Sequence, residues 1–142
     1  MTKSKMSSRE LERAEYFIKF IDELKIENRD NDLLILVEGK NDILALRLLG
    51  FEGPIKPIKG KRLPDLIDEI LLEYSRVLIL SDWDVEGERL YKKIKFLLES
   101  YGIKVEDRYR KEIKSFAKKD VKDVEGLYVY VSGLKSKTRA NI

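Results

Sequence analysis

The chain has 142 residues, 43% hydrophobic and 39% charged, with 29 Lys and Arg against 26 Asp and Glu, no His and no Cys. That length suits one domain, and a charged fraction well above the roughly one quarter of average proteins implies a densely charged surface. Disulfides, thiolate nucleophiles and imidazole bases are excluded, so any chemistry runs on carboxylates, lysines and hydroxyls; a formal charge of +3 is too small to argue for a polyanion partner by itself.

Dense charge without Gln or Cys and with two Met is the pattern expected of a thermophilic source, where ion-pair networks replace heat-labile residues. Apolar runs such as Leu33 to Val37 and Val77 to Leu80 are too short to span a bilayer, and charges interrupt the first twenty residues. A soluble, cytoplasmic protein with no membrane partner is expected.

In chain order, Ser7 and Glu10 have the spacing of a capping box, and Leu11, Ala14, Phe17, Ile18, Ile21 and Leu24 recur at helical intervals. They predict an amphipathic helix over residues 8 to 26, within an N-terminal segment 1–29 that packs on the domain. Leu33 to Val37 is a continuous apolar run of strand length, as expected of a strand buried on both faces. Asn41 then caps a helix carrying Ile43, Leu44, Leu46, Leu48 and Leu49 and stopped by Gly50.

A short strand over Ile55 to Ile58, weakened by Pro57, precedes a helix opened by Pro64 with Leu66, Ile67, Ile70 and Leu71 on one side. Arg76 to Leu80 repeats the buried-strand pattern, and a helix from Glu86 to Tyr101 ends at Gly102. Ile103 to Val105 reads as a short last strand and Tyr109 to Lys118 as a helix. Leu127 to Val131 fits a strand or a helix end equally well. The domain body therefore spans 30–131, and 132–142, with basic residues, no acidic ones and little to bury, is expected to be a mobile basic tail.

Strands alternating with helices at these lengths predict an α/β fold, a mostly parallel sheet of about four strands with helices on both faces. Ligands of such sheets bind beyond the carboxyl ends of the strands. Both informative places there are acidic: Glu38-Gly39-Lys40-Asn41-Asp42 after the first strand, and Ser81-Asp82-Trp83-Asp84-Val85-Glu86-Gly87-Glu88 after the third. In extended backbone, Asp82 and Asp84 point to the same side, with Glu38 across from them. Like charges that close call for a cation, and an all-oxygen donor set suits a hard ion such as magnesium. Acids at a helix start also cap N–H groups, which explains one such turn more readily than two that converge.

These two motifs resemble the signatures of the Toprim domain, shared by type IA and type II topoisomerases, bacterial primases and several nucleases. The resemblance covers roughly residues 30 to 105, and it implies a Toprim-like, Rossmann-like domain acting on nucleic acid, RNA or DNA, with magnesium, or manganese in its place. Carried over position by position, it implies that Glu38 is the general acid or base and a metal ligand, that Asp82 and Asp84 hold the metal, and that Glu86 is a secondary acidic contributor. Type IA topoisomerases supply their nucleophilic Tyr from another domain, so strand passage by this chain alone is not expected.

Lys40, in a family-like position, and Lys59, Lys61 and Arg62, which follow the second strand beside Lys56, are the expected phosphate contacts. Trp83 is expected to pack rather than stack a base, and Glu88 to be solvated. A phosphate loop fails because Leu34 stands where its first Gly is required. A receiver-type phosphoacceptor needs an acidic pair after strand one, where Glu38-Gly39 stands instead. Two functions remain: magnesium-dependent phosphodiester chemistry of nuclease or nucleotidyl-transfer type, or a catalytically silent nucleic-acid or protein-binding module of a larger processing complex.

Overall fold

A computed structural model describes residues 6–140, except the side chain of Ala140. Six helices and four strands follow one another as α1 (Ser8–Asp30), β1 (Leu33–Val37), α2 (Lys40–Leu49), β2 (Ile55–Pro57), α3 (Leu63–Glu73), β3 (Arg76–Ile79), α4 (Val85–Ser100), β4 (Lys104–Val105), α5 (Asp107–Ala117) and α6 (Val124–Ala140). The strands form one sheet in the order β2-β1-β3-β4, every neighbouring pair parallel. This is the α/β architecture expected from the alternation of elements.

The period-two geometry of β1 divides the core. Leu33, Ile35 and Val37 face a layer built from α1, α2, α5 and α6, while Leu34 and Leu36 face α3 and α4. All five are fully buried, and each contributes about 2 kcal/mol by leaving water. Helices therefore cover both faces of the sheet, and β1 reads as an uninterrupted apolar run. Pro57 closes β2 at the sheet edge, where a missing N–H costs least.

Three differences from the sequence expectations matter for the site. The first helix runs on to Asp30, because buried Asn28 is structurally used: its Nδ2 donates to Leu33 O (2.8 Å) and Pro54 O (3.0 Å), and its Oδ1 accepts from Gly53 N (2.9 Å). The N-cap of α2 is Gly39 rather than Asn41, with Asp42 Oδ2 accepting the Gly39 N–H at 2.9 Å. The expected tail is part of α6, which extends to Ala140; residues 141–142 lie outside the described ones. Val124, Leu127 and Val131 are fully buried at helical spacing with Leu134 packed beside them, and Lys137 and Arg139 sit in the last turn, where cations suit the helix dipole. Among the described residues, no helix is long and apolar enough to cross a membrane.

Candidate functional site

From β1 the chain moves outward to β2, then crosses back over β1 to β3 and on to β4, so the direction of winding switches between β1 and β3. Helices diverge at such a point and leave a crevice beyond the strand ends. A pocket of about 470 Å³ opens there, lined by Glu38, Gly39, Lys40, Asn41 and Asp42 from the β1–α2 turn, Lys59 and Gly60 after β2, Asp82 after β3, and Glu125 of α6.

Four carboxylates line it, and three of them are anchored by a backbone N–H. Glu38 Oε2 accepts from Asp82 N at 2.8 Å, Asp42 Oδ2 from Gly39 N at 2.9 Å, and Asp82 Oδ1 from Val124 N at 3.1 Å. The ends of β1 and β3 are thus tied to each other and to the first residue of α6. Burial first, and then the charges of Glu38 and Asp42, push the Asp82 carboxyl up to about 7 against the stabilising Val124 N–H. Burial also raises Asp42, with Glu125, Glu38 and Asp123 adding to the effect and the Gly39 N–H opposing it.

Asp84 and Asp82 are not brought into one space. Asp84 is exposed and caps α4, its Oδ1 accepting from Gly87 N at 2.7 Å, and it does not line the pocket. Glu86 is exposed and pairs with Arg89 at 2.9 Å. The two-residue rule for extended chain does not apply because the backbone turns into α4 at Asp84. Among the described residues, no group of three acidic side chains is arranged to hold a metal ion as the side chains stand. The donor chemistry nonetheless fits one: Asp82, raised by burial and then by the charges of Glu38 and Asp42, stands among carboxylate oxygens of the kind that a hard divalent cation takes.

Of the basic candidates, Lys40 and Lys59 line the pocket. Lys61 and Lys56 both engage Glu69, and Arg62 is exposed at the N-cap of α3. Trp83 is buried, its Nε1 donating to Val121 O at 2.7 Å, so it packs as expected. Glu88 is not merely solvated: its Oε1 takes Lys114 at 2.9 Å and Arg110 at 3.2 Å. Its burial would raise its pKa, but the hydrogen bonds from Lys114 and Arg110 win and lower it.

Sequence reasoning missed two acids of the pocket, Asp42 and Glu125. Asp42 carried a usable signal, since it stands three residues after Gly39 at the spacing of a capping carboxylate. Glu125 reaches the pocket from the last helix, and no local pattern announces a contact across that separation.

The Toprim domain family model matches residues 33–125. The chain is 35% identical to a UPF0292 protein of Methanosarcina barkeri, over 97% of this chain and 94% of that one. It is 43% identical to a UPF0292 protein of Pyrococcus horikoshii, over 83% and 86%. A solved structure of an Aquifex aeolicus protein superposes with a TM-score of 0.67 at 34% identity, covering 75% of this chain and 94% of that one. The match begins at the first residue of β1 and ends at Glu125, so it encloses every acid that lines the pocket, and the chain belongs to the Toprim domain family, alongside the UPF0292 proteins.

Proposed function

We propose that this chain carries out magnesium-dependent phosphodiester chemistry on nucleic acid, as a nuclease or by nucleotidyl transfer. The observation that carries the reading is the placement of Glu38 and Asp82 at the switch point between β1 and β3, hydrogen-bonded to each other at 2.8 Å inside a pocket that also holds Lys40 and Lys59. Glu38 and Asp82 would hold the metal, with Asp42 and Glu125 in the same pocket, while Asp84, which caps α4, and Glu86, which pairs with Arg89, stand outside it.

When bound, magnesium, or manganese in its place, would neutralise and orient the phosphodiester. Glu38 moves a proton at the attacking or the leaving oxygen. Its fixed contact with the Asp82 N–H holds the carboxylate in place for that transfer. Lys40 and Lys59 take neighbouring phosphate oxygens, with Lys61 and Arg62 outside the pocket as the more distant contacts. Water as the attacking group gives cleavage, and a nucleotide hydroxyl gives synthesis.

A second reading is favoured by one observation: Asp82 and Asp84 each give an oxygen to a backbone N–H, and no closed set of three acids is formed among the described residues. On that reading the chain is a silent nucleic-acid or protein-binding module of a processing complex. Incubation of labelled single-stranded, duplex and structured RNA and DNA with magnesium or manganese separates the two. Metal-dependent cleavage that disappears in folded Glu38→Gln and Asp82→Asn variants supports the enzyme. Binding that survives both substitutions but weakens when Lys40 and Lys59 become Ala supports the module.

A further inference from the structure

The peptide unit joining Ser81 to Asp82 lies between two charged groups on opposite sides. Its N–H donates to Glu38 Oε2 at 2.8 Å, and its carbonyl, that of Ser81, accepts from Arg110 Nε at 3.3 Å. The next carbonyl, that of Asp82, accepts from Arg110 Nη2 at 2.8 Å. Arg110 comes from α5, is only 4% exposed, lies 4.4 Å from the Tyr91 ring centroid, and meets one carboxylate, Glu88, at 3.2 Å.

We infer that Arg110 is a positioning residue of the metal site, fixing and polarising the Ser81–Asp82 peptide so that its N–H holds the Glu38 carboxylate toward the pocket. The inference rests on the metal reading above and adds to it a residue from outside both acidic motifs.

Three physical points carry it. The amide is one conjugated unit, so a cation at its oxygen draws electron density from nitrogen and strengthens the N–H as a donor. The sheet does not hold this turn: the ladder beside β1 ends with Leu80 N–H to Leu36 O at 2.7 Å, and on the other side β4 spans only Lys104–Val105. What fixes the turn must therefore come from outside the sheet. A guanidinium's rigid fork can serve two successive carbonyls and a carboxylate together, which a lysine ammonium cannot reproduce. An ion pair with Glu88 would account for a buried charge, but not for the two hydrogen bonds spent on the turn that presents Asp82.

The test is a double-mutant cycle read by calorimetric Mn²⁺ binding, with circular dichroism melts to establish folding. It is built on Glu88→Gln, so that removing Arg110 leaves no half-buried carboxylate short of one of its two cations. In that background Arg110→Met is expected to weaken Mn²⁺ about tenfold or more. With Glu38→Gln also present, the same substitution is expected to change affinity less than twofold, because the carboxylate through which Arg110 acts is gone. If Arg110→Met does not fold, Arg110→Lys carries the same cycle. An equal loss with and without Glu38, or unchanged affinity in a folded variant, overturns the inference. Absence of Mn²⁺ binding to the wild-type chain instead sinks the metal reading itself, and this inference with it.

Discussion

Gly39 and Gly87 each follow a glutamate in the two acidic motifs and look alike in the sequence, yet their surroundings differ. A Cβ on Gly87 would stand 1.9 Å from the Asp82 carbonyl oxygen, whereas one on Gly39 would meet nothing within 4 Å. Gly87 is small because the first turn of α4 presses against the backbone that presents Asp82, and its carbonyl also takes the Ser81 hydroxyl at 2.9 Å. Gly87→Ala is expected to cost about 3 kcal/mol and to abolish Mn²⁺ binding by displacing Asp82, while Gly39→Ala, at an extended φ of −149°, costs less than about 1 kcal/mol. Urea melts and calorimetry on the two variants check the contrast, and equal costs would refute it. That Glu38 and Asp82 lie side by side is legible because each stands past the carboxyl end of a buried strand, where ligands of this fold class gather. Asp84 stands apart from Asp82 because a helix start, where a strand's alternation no longer holds, begins there, and Asp42 lies in the pocket because the helix is capped at Gly39 rather than at Asn41.

At the scale of elements, β1 and, after the half-buried Arg76 at its start, β3 announce themselves because both faces are buried and no polar residue interrupts the run. Helix α6 does not. Leu127-Tyr128-Val129-Tyr130-Val131 is rich in β-prone side chains, but the fully buried positions are Val124, Leu127 and Val131, which only a helix places on one face. Tertiary packing on α1 and α2 decides the matter, helped by Asp123 Oδ1 accepting the Gly126 N–H at 2.8 Å. A chain ending at Val131 loses Leu134 and the last turns of α6, and is expected to be less stable by about 1–3 kcal/mol. A dispensable tail would leave the melting temperature unchanged. Because Asp82 accepts the N–H of Val124, the same truncation is expected to weaken the Asp82 anchorage, a loss visible as faster amide exchange at Val124.

For the whole molecule, the carboxylates pull stability in two directions with pH. Hydrogen bonds from Lys56 and Lys61 lower Glu69 to about 2, and Glu27 and Glu88 are also lowered, Glu27 first by Asn31. Their contribution is present above the ordinary carboxylate range and is lost on acidification. Asp82 acts with the opposite sign: its folded pKa of about 7 lies above the ordinary 3.8, so between those values the folded chain holds a proton that the unfolded chain has released. Stability from Asp82 is therefore complete below about pH 4 and falls away as pH rises through 7, with Asp42 contributing in the same direction. The metal-free protein is expected to melt highest in mild acid and to lose melting temperature between about pH 4 and pH 7. Asp82→Asn removes the charge while its amide oxygen can still accept the Val124 N–H, so this variant's profile is expected to flatten over that range and to gain on the order of 1 kcal/mol at neutral pH. Magnesium, if Glu38 and Asp82 hold it, flattens the wild-type profile in the same way and leaves Asp82→Asn nearly unmoved. Circular dichroism melts across pH, with and without magnesium, read both effects. Parallel profiles for the two proteins in metal-free buffer would mean that these carboxylates do not repel one another in a shared pocket, and the electrostatic argument for a cation there would fall.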